Sequence, residues 1–463
     1  MVSGCIVLLE FRADLRYNSP IHTEIRNNSD IEGARHMTME RDGRFHALVQ
    51  ATLLDVGAKR SRMRGGELEH AQGVAPVEQL VSYALEQAAA LHASDIHVEP
   101  VAGGGVRIRV RIDGLLQEWQ EPLPQKVAAV FLSRLKVLAK MDVSKTREPQ
   151  DGSFHFSWDG RQVDVRAATM PTIDGEALVM RLLLHGERAR RLDDLGFRPE
   201  TAEKLRSLFH QPSGISMFCG PMNSGKTTTL YAALAELMKP ETSVVTIDDP
   251  VEYVLPGAMQ VTVQESKAGQ ESGRTFSDVL KHMLRMDAEI LSVGETRDEK
   301  TAALALRAAL TGHRVFTTLH AGDACSAILR MLEMKLPPYL LAATLTGVVA
   351  QRLVRRICPA CRESYAATAH EAELLGMPAG TELVRGRGCE ACHGTGYQDR
   401  MVLAEVLVLT EALREAIATG AHLSELRKLA KEAGCETFAE DGRQKILAGF
   451  TTCAEVERVL YGG

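Results

Sequence analysis

The stretch Gly220-Pro-Met-Asn-Ser-Gly-Lys-Thr-Thr-Thr229 decides how the rest of the chain is read. It fits G-x-x-x-x-G-K-[ST], the loop that cradles the phosphates of nucleoside triphosphates. The apolar run Ile215–Cys219 before it predicts a buried strand. The run Thr227–Met238 after it, rich in Ala, Leu, Met and Glu, predicts a helix. Strand, glycine-containing loop and helix N-terminus together aim backbone N–H groups at an anion. The expected phosphate-contacting set is Gly220, Pro221, Met222, Asn223, Ser224, Gly225, Lys226, Thr227 and Thr228. Lys226 is expected to reach the β- and γ-phosphates, and the Thr227 hydroxyl to ligate Mg²⁺. The segment therefore implies binding and hydrolysis of ATP or GTP.

Working outward, a chain of 463 residues suggests about three domains. Aromatic residues make up 5% and Trp numbers 2, which argues against a dedicated single-strand nucleic-acid binder that stacks bases. The formal charge of −6 argues against a general phosphate-backbone partner and leaves a local basic channel open. The most apolar run, Leu336–Ala350, contains two prolines and is shorter than the roughly 20 residues of a membrane span. It is expected to be a buried helix. Ile6–Phe11 is interrupted by Glu10 and no cleavage site follows, so the chain is expected to be cytoplasmic, meeting a membrane through a partner.

Residues 1 to 73 show no clear periodicity and are expected to form an irregular, poorly ordered extension. Met37 and Met39 stand as alternative starts. Helical spacing begins at Pro76, with Val77, Leu80, Val81, Ala84, Leu85 and Ala88 apolar. Strand-like alternation follows at 94–98, 106–112, 153–158, 162–168 and 177–184, with a helix near 125–140. Residues 74–185 are thus expected to form an α+β domain, with 186–199 as a charged linker. From 200 to 350 strands and helices alternate, which implies a mostly parallel sheet with helices on both faces. Residues 351–463 are expected to be mostly helical with a cysteine-rich insert.

Two predicted strands end in acids: Asp248-Asp-Pro-Val-Glu-Tyr253 after 243–247, and Gly294-Glu-Thr-Arg-Asp298 after 289–293. Carboxyl ends of parallel strands are where ligands bind. An NTPase needs one acidic group near Mg²⁺ and one to orient or deprotonate water. Glu295 occupies the position that follows an apolar strand, and Glu252 is the second carboxylate. His320 closes the strand Thr317-Thr-Leu-His320, where it either contacts the γ-phosphate or is structural. Cys358-Pro-Ala-Cys361 and Cys389-Glu-Ala-Cys392 bracket residues 362–388. Paired C-x-x-C knuckles predict a tetrahedral Zn²⁺ site, although this loop exceeds the usual spacing of about 15–20. Four thiolates leave no open position, so the metal would be structural.

These segments, in order, resemble the secretion ATPases of type II secretion and type IV pilus assembly. The resemblance covers about residues 74–463. It rests on Ala93-Ser-Asp-Ile-His-Val-Glu-Pro100, Arg111-Ile-Asp-Gly114, Pro149-Gln-Asp-Gly152, Val163-Asp-Val-Arg166 and Val179-Met-Arg-Leu182 upstream of the loop. Downstream it rests on Asp249-Pro-Val-Glu252, Val293-Gly-Glu-Thr-Arg-Asp298, Thr311-Gly-His313, Ala350-Gln-Arg-Leu353, both cysteine pairs and Thr395-Gly-Tyr397. It implies an α/β fold with a RecA-like P-loop NTPase domain preceded by a PAS-like α+β domain, assembled as a homo-hexamer with ATP between the two domains. It also implies that Arg166 and Arg181 reach the nucleotide, across a subunit boundary in one arrangement, and that Glu252 and Glu295 are the catalytic glutamates. The implied work is turning an inner-membrane platform protein to drive pseudopilin or pilin assembly.

The chain departs from the family pattern in three places. Met222-Asn223 stands where Thr-Gly is usual, and Asp248 where Glu is usual. The usual partner-recruiting N-terminal domain is expected to be largely missing, so docking by that route is not expected. A nucleotide-binding scaffold that does not hydrolyse, and a conjugation or DNA-uptake NTPase, stand as alternatives to the motor.

Overall fold

Alternation of Val106, Ile108 and Val110 with Arg107, Arg109 and Arg111 gives one short segment an apolar face and a charged face, and a sheet forms around it. The computed structural model describes residues 43–65, 75–184, 189–263 and 275–462. Its first part runs α1 (Gly43–Gly65), α2 (Pro76–Ala90), β1 (Asp95–Pro100), β2 (Val106–Ile112), β3 (Leu115–Glu118), α3 (Gln125–Leu138), β4 (Gln150–Trp158), β5 (Arg161–Thr172) and β6 (Gly175–Leu184). The strands pair antiparallel in the order β3-β2-β1-β6-β5-β4. Ile96, Val98, Ile108, Val110, Leu178 and Met180 pack with Leu80 and Leu85 of α2 and Phe131 of α3. The three helices thus cover one face, and the arginines of β2 lie on the other.

Helix α1 corrects the expectation that residues 1–73 are irregular. Phe45, Val49 and Thr52 are buried on it. The Phe45 ring meets Trp119 edge-on at 5.4 Å, and the Arg44 guanidinium lies 5.1 Å over Tyr83. This apolar stripe is short and interleaved with polar residues, so it declares itself only against the surface it covers. Residues 1–42 and 66–73 of the expected extension lie outside the described residues.

The second part runs α4 (Pro199–Phe209), β7 (Gly214–Cys219), α5 (Lys226–Leu237), β8 (Val244–Asp248), β9 (Met259–Thr262), α6 (Phe276–Met283), β10 (Ile290–Val293), α7 (Glu299–Leu310), β11 (Arg314–Leu319), α8 (Ala324–Glu333), α9 (Pro338–Thr344) and β12 (Leu345–Ile357). Then come β13 (Arg362–Ala366), α10 (Ala369–Leu375), β14 (Glu382–Gly386), β15 (Tyr397–Val408), α11 (Glu411–Thr419), α12 (Leu423–Glu432), α13 (Phe438–Leu447) and α14 (Cys453–Tyr461). Seven strands form one sheet in the order β15-β12-β7-β11-β10-β8-β9. All neighbours are parallel except the β12–β15 pair. Strand β7, which feeds the glycine loop, lies between β11 and β12.

Three further expectations change. The apolar run Leu336–Ala350 is not one buried helix: α9 ends at Thr344 and β12 begins at Leu345. Leu345, Val348, Val349 and Ala350 are fully enclosed, and a continuous apolar run of that length reads equally as helix or buried strand. The region 351–463 is not mostly helical, because β12 and β15 extend the main sheet and β13 pairs with β14. The expected linker 186–199 is not simply a solvated connector: Leu192, Leu195 and Phe197 are buried with Tyr231 and Leu234 of α5.

Candidate functional site

The loop between β7 and α5 is shaped by three backbone demands. A Cβ on Gly220 would lie 2.4 Å from Ser224 Oγ and 2.5 Å from the Gln351 carbonyl oxygen, so only glycine fits there. Gly225 takes the left-handed conformation at φ 84°. Asn223 does the same at φ 59°, and asparagine is among the few residues that visit this region readily. The Met222-Asn223 substitution therefore keeps the loop's shape, with Met222 turned to solvent. Lys226 is buried, and its Nζ donates to the carbonyls of Gly220 at 3.0 Å and Pro221 at 2.8 Å. Burial lowers its pKa, opposed by the charge of Glu295. Ser224 Oγ is buried without a hydrogen-bond partner among the described residues. A glycine-lined cradle with an orphaned hydroxyl and an ammonium fits a phosphate chain.

Around that loop stand the acids. The pKa of Glu252 is raised, first by burial and then by the charge of Asp248, against the opposing pull of the nearby Thr227 hydroxyl. The positive charges of Arg181 and Arg166 act on Glu252 in the opposite direction. Two arginines of the six-stranded sheet, Arg181 of β6 and Arg166 of β5, thus lie within electrostatic reach of Glu252 beside the loop. Glu295 follows β10 and pairs with Arg297 at 2.9 Å and His320 Nε2 at 3.3 Å. Beneath it the Thr296 and Thr317 hydroxyls bond at 2.7 Å, and Thr318 donates to the Gly294 carbonyl at 2.6 Å, fixing the ends of β10 and β11. The hydroxyl of Thr227, with Glu252 and Glu295 nearby, offers the hard oxygen donors that Mg²⁺ prefers.

Asp248 does not join this cluster, which corrects its placement among the phosphate-facing carboxylates. It accepts from the Tyr231 hydroxyl at 2.7 Å and from Thr246 at 2.9 Å inside the sheet. Burial raises its pKa. Asp298 is the N-cap of α7, accepting from the Thr301 backbone N–H at 2.9 Å. One contributor was missed in the sequence: Gln351 of β12 donates to Thr229 at 2.8 Å, and its backbone carbonyl abuts Gly220. The stretch Ala350-Gln-Arg-Leu353 was its signal, but its role needed the neighbouring strand. A cavity of about 620 Å³ adjoins the loop, with Gly225, Thr228, Glu252, Leu353, Tyr397 and Ser94 in its wall.

The four cysteines converge. Their sulfurs lie within 4.8 Å of one another, with Cys358–Cys389 at 3.9 Å, Cys361–Cys392 at 3.8 Å and Cys389–Cys392 at 3.7 Å. Tetrahedral Zn–S bonds of about 2.3 Å require sulfur separations of about 3.8 Å, so the donor set fits zinc. Burial raises the Cys361 thiol to about 12. Burial also acts upward on Cys392, but backbone N–H donors from Cys389 and Gly396 outweigh it and hold the thiol at about 7. Such N–H donors stabilise the thiolate that a metal takes.

The Type II/IV secretion system protein family matches residues 70–458. A type II secretion system protein E of Dickeya dadantii is 41% identical over 387 residues, covering 83% of this chain and 76% of the relative. A type IV pilus assembly ATPase PilB of Thermus thermophilus is 38% identical over 383 residues, covering 82% of this chain and 42% of the relative. Among solved structures, the Legionella pneumophila ATPase DotB aligns with a TM-score of 0.60 at 20% identity, over 85% of this chain and 98% of that one. The pilus retraction motor PilT with bound ADP aligns at 0.53 and 24% identity, over 81% of this chain and 94% of that one. Those two likenesses bear on the fold. Family match, relatives and site geometry agree: the chain belongs to the type II secretion and type IV pilus assembly ATPase family.

Proposed function

We propose that this chain is a Mg²⁺-dependent ATPase that works as a homo-hexamer and powers pseudopilus or pilus assembly through an inner-membrane platform protein. The observation that supports it most is the convergence of Lys226, Thr227, Glu252 and Glu295 around one glycine loop. The loop's N–H groups and Lys226 bind the phosphates, the ammonium exchanging its two carbonyl partners for phosphate oxygens. Mg²⁺, when bound at the Thr227 hydroxyl, supplies charge neutralisation. Glu252, made more basic by burial, takes a proton from the attacking water as its oxygen bonds to the γ-phosphorus. The bond to the β-phosphate oxygen breaks, giving ADP and phosphate. Glu295, oriented by His320 and Arg297, is the second carboxylate of the site. Arg181 and Arg166 stabilise charge spreading over the transferred group.

In this reading the six-stranded sheet is a PAS-like domain and the seven-stranded sheet a RecA-like one, with the nucleotide between them. Zinc on the four cysteines is structural. Among the described residues no helix is long and apolar enough to cross a membrane, which suits a peripheral enzyme held by its platform partner. The test is Mg²⁺-ATP turnover of the zinc-loaded protein beside Lys226→Ala, with sizing of the same sample. Turnover that tracks a hexameric peak and vanishes in the variant is expected. A nucleotide-bound hexamer with no turnover would sink the motor reading.

A further inference from the structure

We propose that Asp95 is a positioning residue for the reaction, holding Arg181 toward the nucleotide. The proposal rests on the ATPase reading above. Strand β1 lies between β2 and β6, and Asp95 at its start is paired with Arg111 on one side and Arg181 on the other. Arg181 in turn is paired with Arg166 of β5. One row across the sheet therefore reads Arg111, Asp95, Arg181, Arg166, with a single carboxylate among three guanidiniums.

That carboxylate is buried, its side chain 7% exposed. It accepts from the Ser94 hydroxyl at 2.8 Å and pairs with Arg111 Nε at 3.4 Å and Arg181 Nε at 3.2 Å. A guanidinium held through Nε keeps its terminal amino groups for a second anion. Arg181 is half exposed, and its charge is felt at Glu252 beside the phosphate loop. Ser94 lines the cavity that adjoins that loop. Like charges directly opposite on neighbouring strands repel, so Arg181 without Asp95 would be driven from its place beside Arg166. Asp95 removes that repulsion and sets the direction from which Arg181 approaches. It touches no reacting atom.

The experiment is steady-state Mg²⁺-ATP turnover, with melting temperatures, for the wild type, Asp95→Asn, Arg181→Ala, the double variant and Arg111→Gln. Asp95→Asn is expected to lower kcat by about tenfold to a hundredfold with a much smaller change in KM, because misplacement of a transition-state group acts on kcat. The double variant is expected to turn over no more slowly than Arg181→Ala, since the two act as one unit. Arg111→Gln, which removes the pair on the other side of Asp95 together with the Arg111 bond to the Gly114 carbonyl and leaves the Asp95–Arg181 pair in place, is expected to stay within about twofold of the wild type. If Asp95→Asn does not fold, Asp95→Glu replaces it: the charge is kept but displaced by a methylene, and the same kcat loss and the same absence of further loss in the Arg181→Ala background are expected. Unchanged kcat in a folded Asp95 variant overturns the proposal. So does a loss that recurs in full in the Arg181→Ala background. A wild type without turnover overturns the ATPase reading and this one together, whereas wild-type turnover with an unaltered Asp95 variant overturns this one alone.

Discussion

Glu252 and Asp248 lie four positions apart and their environments assign them different work. Asp248 spends its acceptor capacity on Tyr231 of α5 and Thr246 of its own strand, whereas Glu252 lies near the Thr227 hydroxyl and in the field of two arginines. Burial raises the pKa of Glu252, so the acid limb of turnover is expected above the range of an ordinary carboxylate. The sign follows from the role proposed for it: a base must be deprotonated, so kcat is expected to fall as pH drops through that raised value. Glu252→Gln is expected to lower kcat by about a hundredfold or more and to abolish that limb, read from pH–rate profiles of the two proteins. An acid limb that persists in the variant would assign it to another group. That Asn223 tolerates its left-handed backbone was legible from residue type. The inward turn of Asp248 was not, because its partner Tyr231 sits on a different element.

At the scale of elements, the junction of α9 and β12 shows how context overrides composition. Nothing in Leu345-Thr-Gly-Val-Val-Ala350 forbids a helix, yet β7 and β15 offer it pairing partners on both edges. Further along β12, Arg355 reaches α14. The buried Glu455 carboxylate accepts from Arg355 N at 2.9 Å, Nε at 3.0 Å and Nη2 at 2.8 Å, and from Arg458 at 2.8 and 2.6 Å. Burial acts to raise its pKa, but the bonds from Arg458 and Arg355 outweigh it and the result lies below 4.5. A depressed folded value means stability that is present above the unfolded pKa of about 4.5 and lost as pH falls through the lowered one. Glu455→Ala is expected to cost about 3 kcal/mol or more at neutral pH. It should also flatten the acid side of the melting-temperature profile, measured from pH 7 down to pH 3. A variant with the wild-type acid slope would show that Glu455 does not carry it.

Across the whole molecule, the cysteine cluster closes a long path. Cys358 follows β12 and donates its backbone N–H to the Gly396 carbonyl at 2.9 Å, while Cys389 and Cys392 precede β15. A metal there would pin the ends of two strands of the main sheet and anchor the antiparallel β13–β14 pair, joined through α10, between them. Cys361→Ser is expected to lose bound zinc and to lower the melting temperature by roughly 5 °C or more. It should also open the segment 362–388 to proteolysis while leaving nucleotide binding at the loop. Zinc quantitation, calorimetry and limited digestion check these together. An unaltered digestion pattern without zinc would show that the β13–α10–β14 segment stands without the metal.

The linear sequence by itself determined the phosphate loop, the acids after β8 and β10, both cysteine pairs, and most strands and helices between residues 76 and 319. Each is a local pattern, and local backbone geometry, hydrophobic period and ligand spacing act over a few residues. Only the tertiary structure decided that α1 packs as a helix, that β12 is a strand, that Asp248 faces the core and that Asp95 stands between two arginines. Those outcomes are set by partners far along the chain, whose pairing and burial free energies outweigh local preference and leave no mark on the neighbouring residues.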